Sequence, residues 1–154
     1  MTIRSVAFIG KRNEPLFVYT AKNGSDASAV LYEETIIHSS LDIFEEKRGK
    51  HLVEAGGGGA ASSSNMVSTN LFLGHIMTVS RSKVFGFCSN TLTKVVVVCD
   101  IGDSDESVVK DFTLASYSAF VVAVKNPFQE AGQPITSESF QEAIKSLISQ
   151  YNSQ

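Results

Sequence analysis

The sequence is short of cysteine, has no long apolar run and carries no excess of either charge, and each shortage removes a class of function. The two cysteines, Cys88 and Cys99, lie inside apolar stretches without the close spacing that metal sites use. Both read as buried, reduced thiols. Lys and Arg number 13 against 16 Asp and Glu, and the formal net charge of -3 contains no basic block. Nucleic acid and anionic membrane surfaces are therefore not expected partners. The longest uninterrupted apolar runs, Val95–Cys99 and Ala119–Val124, fall far short of the roughly 20 residues a bilayer span requires. The apolar start, residues 3–9, carries Arg4 and Ser5 and runs into a charged cluster, which is not a signal peptide. A soluble, cytoplasmic chain is the expectation. Asn23-Gly24-Ser25 forms a glycosylation sequon, but Asn-Gly is also a tight-turn dipeptide, and without a secretory signal the turn reading holds.

What is present is a composition for packing. Hydrophobic residues make up 43% of the 154 and charged residues 19%. That suits a single domain over residues 1–154, burying about 70% of its unfolded surface.

Residues 3–9 and 16–21 are rich in Ile, Val, Phe and Tyr, and Gly10-Lys11-Arg12-Asn13-Glu14-Pro15 separates them. A phosphate loop would need a helix opening after Gly-Lys-Ser/Thr, so the interruption reads as a hairpin turn. Both strands are apolar at nearly every position, which predicts a pair covered on both faces. The period then changes. With Asp26 as cap, Val30, Ile37, Leu41 and Phe44 form a helical stripe that should end near Lys47–Gly49. A flexible Gly/Ser-rich loop is expected at about 55–65. Three strands follow at 71–79, 84–90 and 94–99, an antiparallel meander. A second helix from Asp105 carries Val108, Phe112, Ala115, Ala119 and Val122, and stops at Asn126-Pro127. A third starts at Ser137 or Thr136 and has Phe140, Ile144, Leu147 and Ile148 as its stripe.

Chemistry-bearing patterns are few. His38 and Asp42 stand four apart on the first helix, a spacing two metal ligands could use, but two ligands make a nonspecific match. His51 and His75 lie in no ligand motif. Glu33, Glu34, Glu45 and Glu46 read as solvated charges on a helix face. Neither a Gly-x-Ser-x-Gly elbow nor a cysteine with a base partner occurs, so no catalytic, cofactor-binding or metal-binding residue is assigned, and no enzyme is expected.

Four segments, AFIGKRNEPLFVYT, IIHSSLDIFEEK, KVFGFCSNTLTKVVVVCD and NPFQEAGQPITSESF, resemble in order and interval the Sedlin-like subunits of the transport protein particle (TRAPP) complex, particularly the subunit 2-like branch. The most specific pieces are HSSLDIFEEK at 38–47 and Asn126-Pro127-Phe128, followed by Gly132, Ile135, Ser137 and Phe140 at the family's spacing. The chain departs from the family at Gln129, usually aromatic, and Gln141, usually Asp, and in a longer glycine-rich loop. The resemblance implies an α+β fold of longin, or SNARE-like, type: a five-stranded antiparallel sheet with one helix on one face and two on the other. It further implies a non-catalytic adaptor without a cofactor in a vesicle-tethering complex of endoplasmic reticulum–Golgi and intra-Golgi transport. Its partners would be other TRAPP subunits, with an indirect link to a Rab-type GTPase and membrane association only through the complex. Another longin-type trafficking regulator, or a coat-associated adaptor outside TRAPP, is the alternative.

Four residues are assigned to partner binding. Asp42 follows Leu41 in the helical motif, where it orients a neighbouring loop or contacts a partner subunit, or else caps or hydrogen-bonds a local backbone group or is merely solvated. Asn126, Pro127 and Phe128 read as a helix terminator with Phe128 packed back on the core; an exposed Phe128 would instead be an interface anchor. Phe17 and Tyr19 read as sheet-face residues whose strand, if at an edge, pairs with another chain.

Overall fold

The computed structural model describes residues 2–21, 26–56, 71–102 and 104–154. In chain order these form β1 (Ile3–Ile9), β2 (Pro15–Thr20), α1 (Ala27–Gly56), β3 (Leu71–Val79), β4 (Ser82–Cys88), β5 (Lys94–Asp100), α2 (Glu106–Val124) and α3 (Glu138–Asn152). The strands make a five-stranded sheet in the order β2-β1-β5-β4-β3, every neighbouring pair antiparallel. One helix covers one face and two the other, the α+β arrangement that the resemblance implies. The turn expected at Asn23-Gly24-Ser25 lies outside the described residues, as does the expected Gly/Ser-rich loop from residue 57 onward.

The valine run of β5 explains the layering. Val95, Val97 and Cys99 point into the core under α2 and α3, while Val96 and Val98 point into the core under α1. A central strand between two helical layers buries both of its faces, so it is apolar throughout rather than alternating. On the first side Phe112, Phe120, Phe140, Ile144 and Ile148 meet Val6, Phe8, Phe85 and Phe87. On the other, Ile36, Ile37, Leu41 and Phe44 meet Ala7, Ile9 and Val84. Phe44 approaches β4 so closely that a Cβ on Gly86 would lie 2.7 Å from its ring. The Asn152 side chain accepts from the Ile3 N–H at 2.7 Å and donates to the Ile3 carbonyl at 3.2 Å, fastening the end of α3 to β1.

The Gly10–Pro15 interruption is the hairpin turn. Gly10 N–H donates to the Glu14 carbonyl at 2.8 Å, and Asn13 takes the left-handed conformation at φ 61°. Ser137 caps α3 as expected, accepting from Phe140 N–H, and Asp105, where the second helix was expected to begin, is its cap and accepts from Ser107 N–H at 2.9 Å. Asp26 accepts from Ser28 N–H at the start of α1.

Three expectations are corrected. α1 does not stop at Lys47–Gly49 but continues to Gly56. Arg48 pairs back to Glu45 and Lys50 to Glu46, at three- and four-residue spacings that support a helix through a single glycine costing about 1 kcal/mol. β2 is not covered on both faces; it is an edge strand, and Phe17–Thr20 are only half-buried. The buried stripe of α2 is Val109, Phe112, Thr113, Ser116 and Phe120, rotated from the apolar pattern, with Val122 71% exposed. Burial of Thr113 and Ser116 is possible because their hydroxyls donate to the Val109 and Phe112 carbonyls at 2.7 and 2.8 Å. At 19 residues and a mean hydropathy of 1.3, α2 also has the length and composition of a membrane span. Its packing through Phe112 and Phe120 into the sheet accounts for that as a core helix.

Candidate partner-binding site

Among the described residues no three His, Cys, Asp or Glu side chains gather to hold a metal. His38 and Asp42 are both exposed on α1. The His75 ring approaches the Thr78 hydroxyl at 2.8 Å and sits edge-on to Phe85. Burial, then the charges of Lys47 and Lys83, hold its imidazole below the usual range, so it stays neutral at physiological pH.

Both cysteines are free and buried, as the sequence indicates. Burial pushes the Cys88 thiol up and the Cys99 thiol up to about 12. Thiolate is the reactive form. Iodoacetamide at mildly alkaline pH is therefore expected to leave both unmodified in the folded chain and to label both in urea, as mass spectrometry would record. Rapid labelling of Cys99 under native conditions would contradict this burial.

The acidic residues of α1 are not the uniform solvated face that the sequence suggests. Glu33 is buried against Arg4 and accepts from the Ser5 hydroxyl at 3.1 Å. Glu45 pairs with Arg48 at 2.9 Å and with Lys94, itself buried and donating also to Asn13 of the hairpin turn. Partial burial works to raise the Glu45 pKa, but Lys94 and Arg48 outweigh it and hold the carboxyl below its ordinary value. Glu46 is engaged by Lys50 at 2.6 Å. Asp42 differs: it is solvent-exposed in mid-helix and meets no hydrogen-bond or ion-pair partner among the described residues. No described residue supports the reading in which it satisfies a local backbone group; its exposure agrees alike with a solvated side chain and with contact to a partner.

At the other end of the fold, Asn126-Pro127-Phe128 terminates α2. Lys125 N–H closes the last turn on the Val121 carbonyl at 3.1 Å, and Asn126 Oδ1 accepts from Phe128 N–H at 3.0 Å. Gln129 extends this rigid turn, its side-chain amide donating to the Gln133 carbonyl at 3.2 Å. The terminator reading is right, but the packing attached to it is not. Phe128 is 92% exposed, whereas Ile135, further along the chain, is buried in the core and donates its N–H to the Leu16 carbonyl at 2.8 Å. Asp42 and Phe128 consequently lie with helices on opposite faces of the sheet and do not form one site.

The family model described as Sedlin matches residues 8–150. The chain belongs to the Sedlin family. Relatives named "Trafficking protein particle complex subunit 2-like protein" align with this Sedlin-family chain along nearly its whole length. The one from Dictyostelium discoideum is 28% identical over 144 residues, covering 93% of this chain and 94% of the relative. Those from Mus musculus and Xenopus tropicalis are 27% and 26% identical, covering 94% and 93% of this chain and 96% and 94% of the relatives.

What sequence reading missed is the pairing of Glu33 with Arg4 and of Glu45 with Lys94. A Lys opening a valine-rich strand was the available signal for Lys94, since a charge there must either snorkel or find a buried partner.

Proposed function

We propose that this Sedlin-family chain is a non-catalytic subunit of a TRAPP-type vesicle-tethering complex, acting by binding other subunits in endoplasmic reticulum–Golgi and intra-Golgi transport. The observation that carries this reading is the nearly full-length similarity to relatives named as subunits of such a particle. The two surfaces described above supply a means: an aromatic anchor held on a hydrogen-bonded turn and a carboxylate on α1 that has no partner among the described residues. In this reading the chain works in the cytoplasm at endoplasmic reticulum and Golgi membranes, held there through the complex and linked to a Rab-type GTPase through other subunits.

Tagging the protein in its own cells and purifying it under mild conditions tests this. Other tether subunits are expected at stoichiometric levels by mass spectrometry; their consistent absence would overturn the assignment. Phe128→Ala is expected to lower recovery of at least one subunit by about tenfold or more, as loss of an interface aromatic does. Because the side chain is exposed, folding stability should change by no more than about 0.5 kcal/mol. Asp42→Ala should reduce recovery of a different subunit, since the two residues occupy opposite faces. Unchanged recovery with either variant would remove that residue from the interface.

A further inference from the structure

The two edges of the sheet are treated differently. On β3, two register shifts break the ladder and Lys47 donates to the His75 carbonyl. Bulges and lysines are the usual protection of an edge. On β2, Pro15 blocks only the first position, and Leu16–Thr20 carries no charge.

Alternation along an antiparallel strand decides where the polar groups of β2 point. Ala21 N–H donates to the Arg4 carbonyl of β1 at 2.7 Å, whereas the Leu16 carbonyl accepts Ile135 N–H from the opposite side. Phe17 and Tyr19 thus face β1, and the N–H and C=O groups of Val18 and Thr20 face outward. Among the described residues nothing hydrogen-bonds to these outward groups. The chain itself makes one rung on this edge, at Leu16, and then departs.

Grooves flank the open rungs on both faces. One of about 500 Å³ lies between β2 and α3, lined by Phe17, Tyr19, Ile135, Gln141 and Lys145. A smaller one of about 90 Å³ lies toward α1, between Val18, Glu34, Ile37 and His38. Lys145 and Glu34 are without ion-pair partners among the described residues, and Gln141, one turn before Lys145, is neutral.

We propose that the β2 edge accepts an extended segment of a partner protein as a sixth strand. The segment continues the rung begun by Ile135, hydrogen-bonding to Val18 and Thr20. Its side chains alternate between the grooves, with an acidic residue toward Lys145 on the α3 face and a basic residue toward Glu34 on the α1 face. A second copy does not fit. Antiparallel pairing of two β2 edges about an axis normal to the sheet sets Lys145 against Lys145 and Glu34 against Glu34, and like charges facing across a strand pair destabilise it.

The proposal does not depend on the tethering function and is tested separately, with a phage-displayed library of random short peptides selected on the full chain. Enriched peptides are expected to alternate apolar residues and to carry an acidic residue. Bound, they should slow amide exchange at Val18 and Thr20 by about tenfold or more, the effect of one new backbone hydrogen bond of about 1.4 kcal/mol. Lys145→Glu, on an exposed helix position, should weaken these peptides about two- to fivefold and shift selection toward basic residues. Thr20→Pro removes an outward donor at a place where an edge strand tolerates proline, and should weaken them further. Peptides that protect neither amide, selection unaltered by Lys145→Glu, or concentration-dependent protection of Val18 and Thr20 in the chain alone would each overturn the proposal.

Discussion

Glu33→Ala is expected to destabilise the fold by about 3 kcal/mol, the lower end of what removing one partner of a buried ion pair costs. Glu33 is 1% exposed on the sheet-facing side of α1, and its carboxylate is the principal counter-charge of Arg4 on β1. Truncation would leave a guanidinium, only 14% exposed, with the Ser82 hydroxyl at 2.7 Å and the half-exposed Asp100 carboxylate at 3.5 Å. Arg4 Nε already lacks a hydrogen-bond partner. The loss would be a large share of the about 5–15 kcal/mol by which domains of this kind are stable. In urea the midpoint should fall with an unchanged slope. The double replacement Arg4→Met with Glu33→Leu should recover most of the loss, because a buried pair contributes little net stability over apolar side chains of similar volume. A midpoint shift worth less than about 0.5 kcal/mol for Glu33→Ala would show that water reaches Arg4 freely, contrary to this packing.

Phe8→Ala should be costlier, about 3–5 kcal/mol. Phe8 is fully buried where β1, β2, α2 and α3 meet. Its ring stacks on Phe120 at 5.1 Å and meets Phe140 edge-on at 5.5 Å, with Phe17 at 6.3 Å. Offset and edge-to-face contacts of this kind add to the area term, and the aromatic cage around them cannot collapse without moving two helices. Since Phe17 leans on Phe140 at 4.9 Å, the cavity would also loosen β2. Amide exchange along Phe17–Thr20 should therefore accelerate more than along β4. Phe8→Leu, which keeps much of the volume, should cost much less. Equal losses for the two variants would mean that the cluster is not what holds these elements together.

Strand and helix identity was legible because it rests on short-range patterns. A valine run bounded by turn residues marks β5, Ser137 caps the helix carrying Phe140, Ile144 and Ile148, and Pro127 prevents α2 from continuing. The end of α1 was misjudged for a local reason as well: a glycine after basic residues resembles a stop, but the pairs from Glu45 and Glu46 to Arg48 and Lys50 carry the helix through it. For the candidate site, the residue types at Asp42 and Phe128 were legible and their surroundings were not. Phe128 is exposed while Ile135 is the residue buried in the core, bonded to Leu16 more than a hundred residues away.

The number and order of the elements, the caps at Asp26 and Ser137 and, through the ordered segments, the Sedlin family were already written in the sequence. Packing in three dimensions makes β2 an edge, buries Glu33 and Lys94 beside their partners, and turns α2 so that Thr113 and Ser116 are buried while Val122 is exposed. The reason is range. Hydrogen bonding and periodicity along the chain set each element, whereas burial and pairing are set by which distant element arrives on each face, and similar side chains there are neighbours or solvent-exposed according to topology alone.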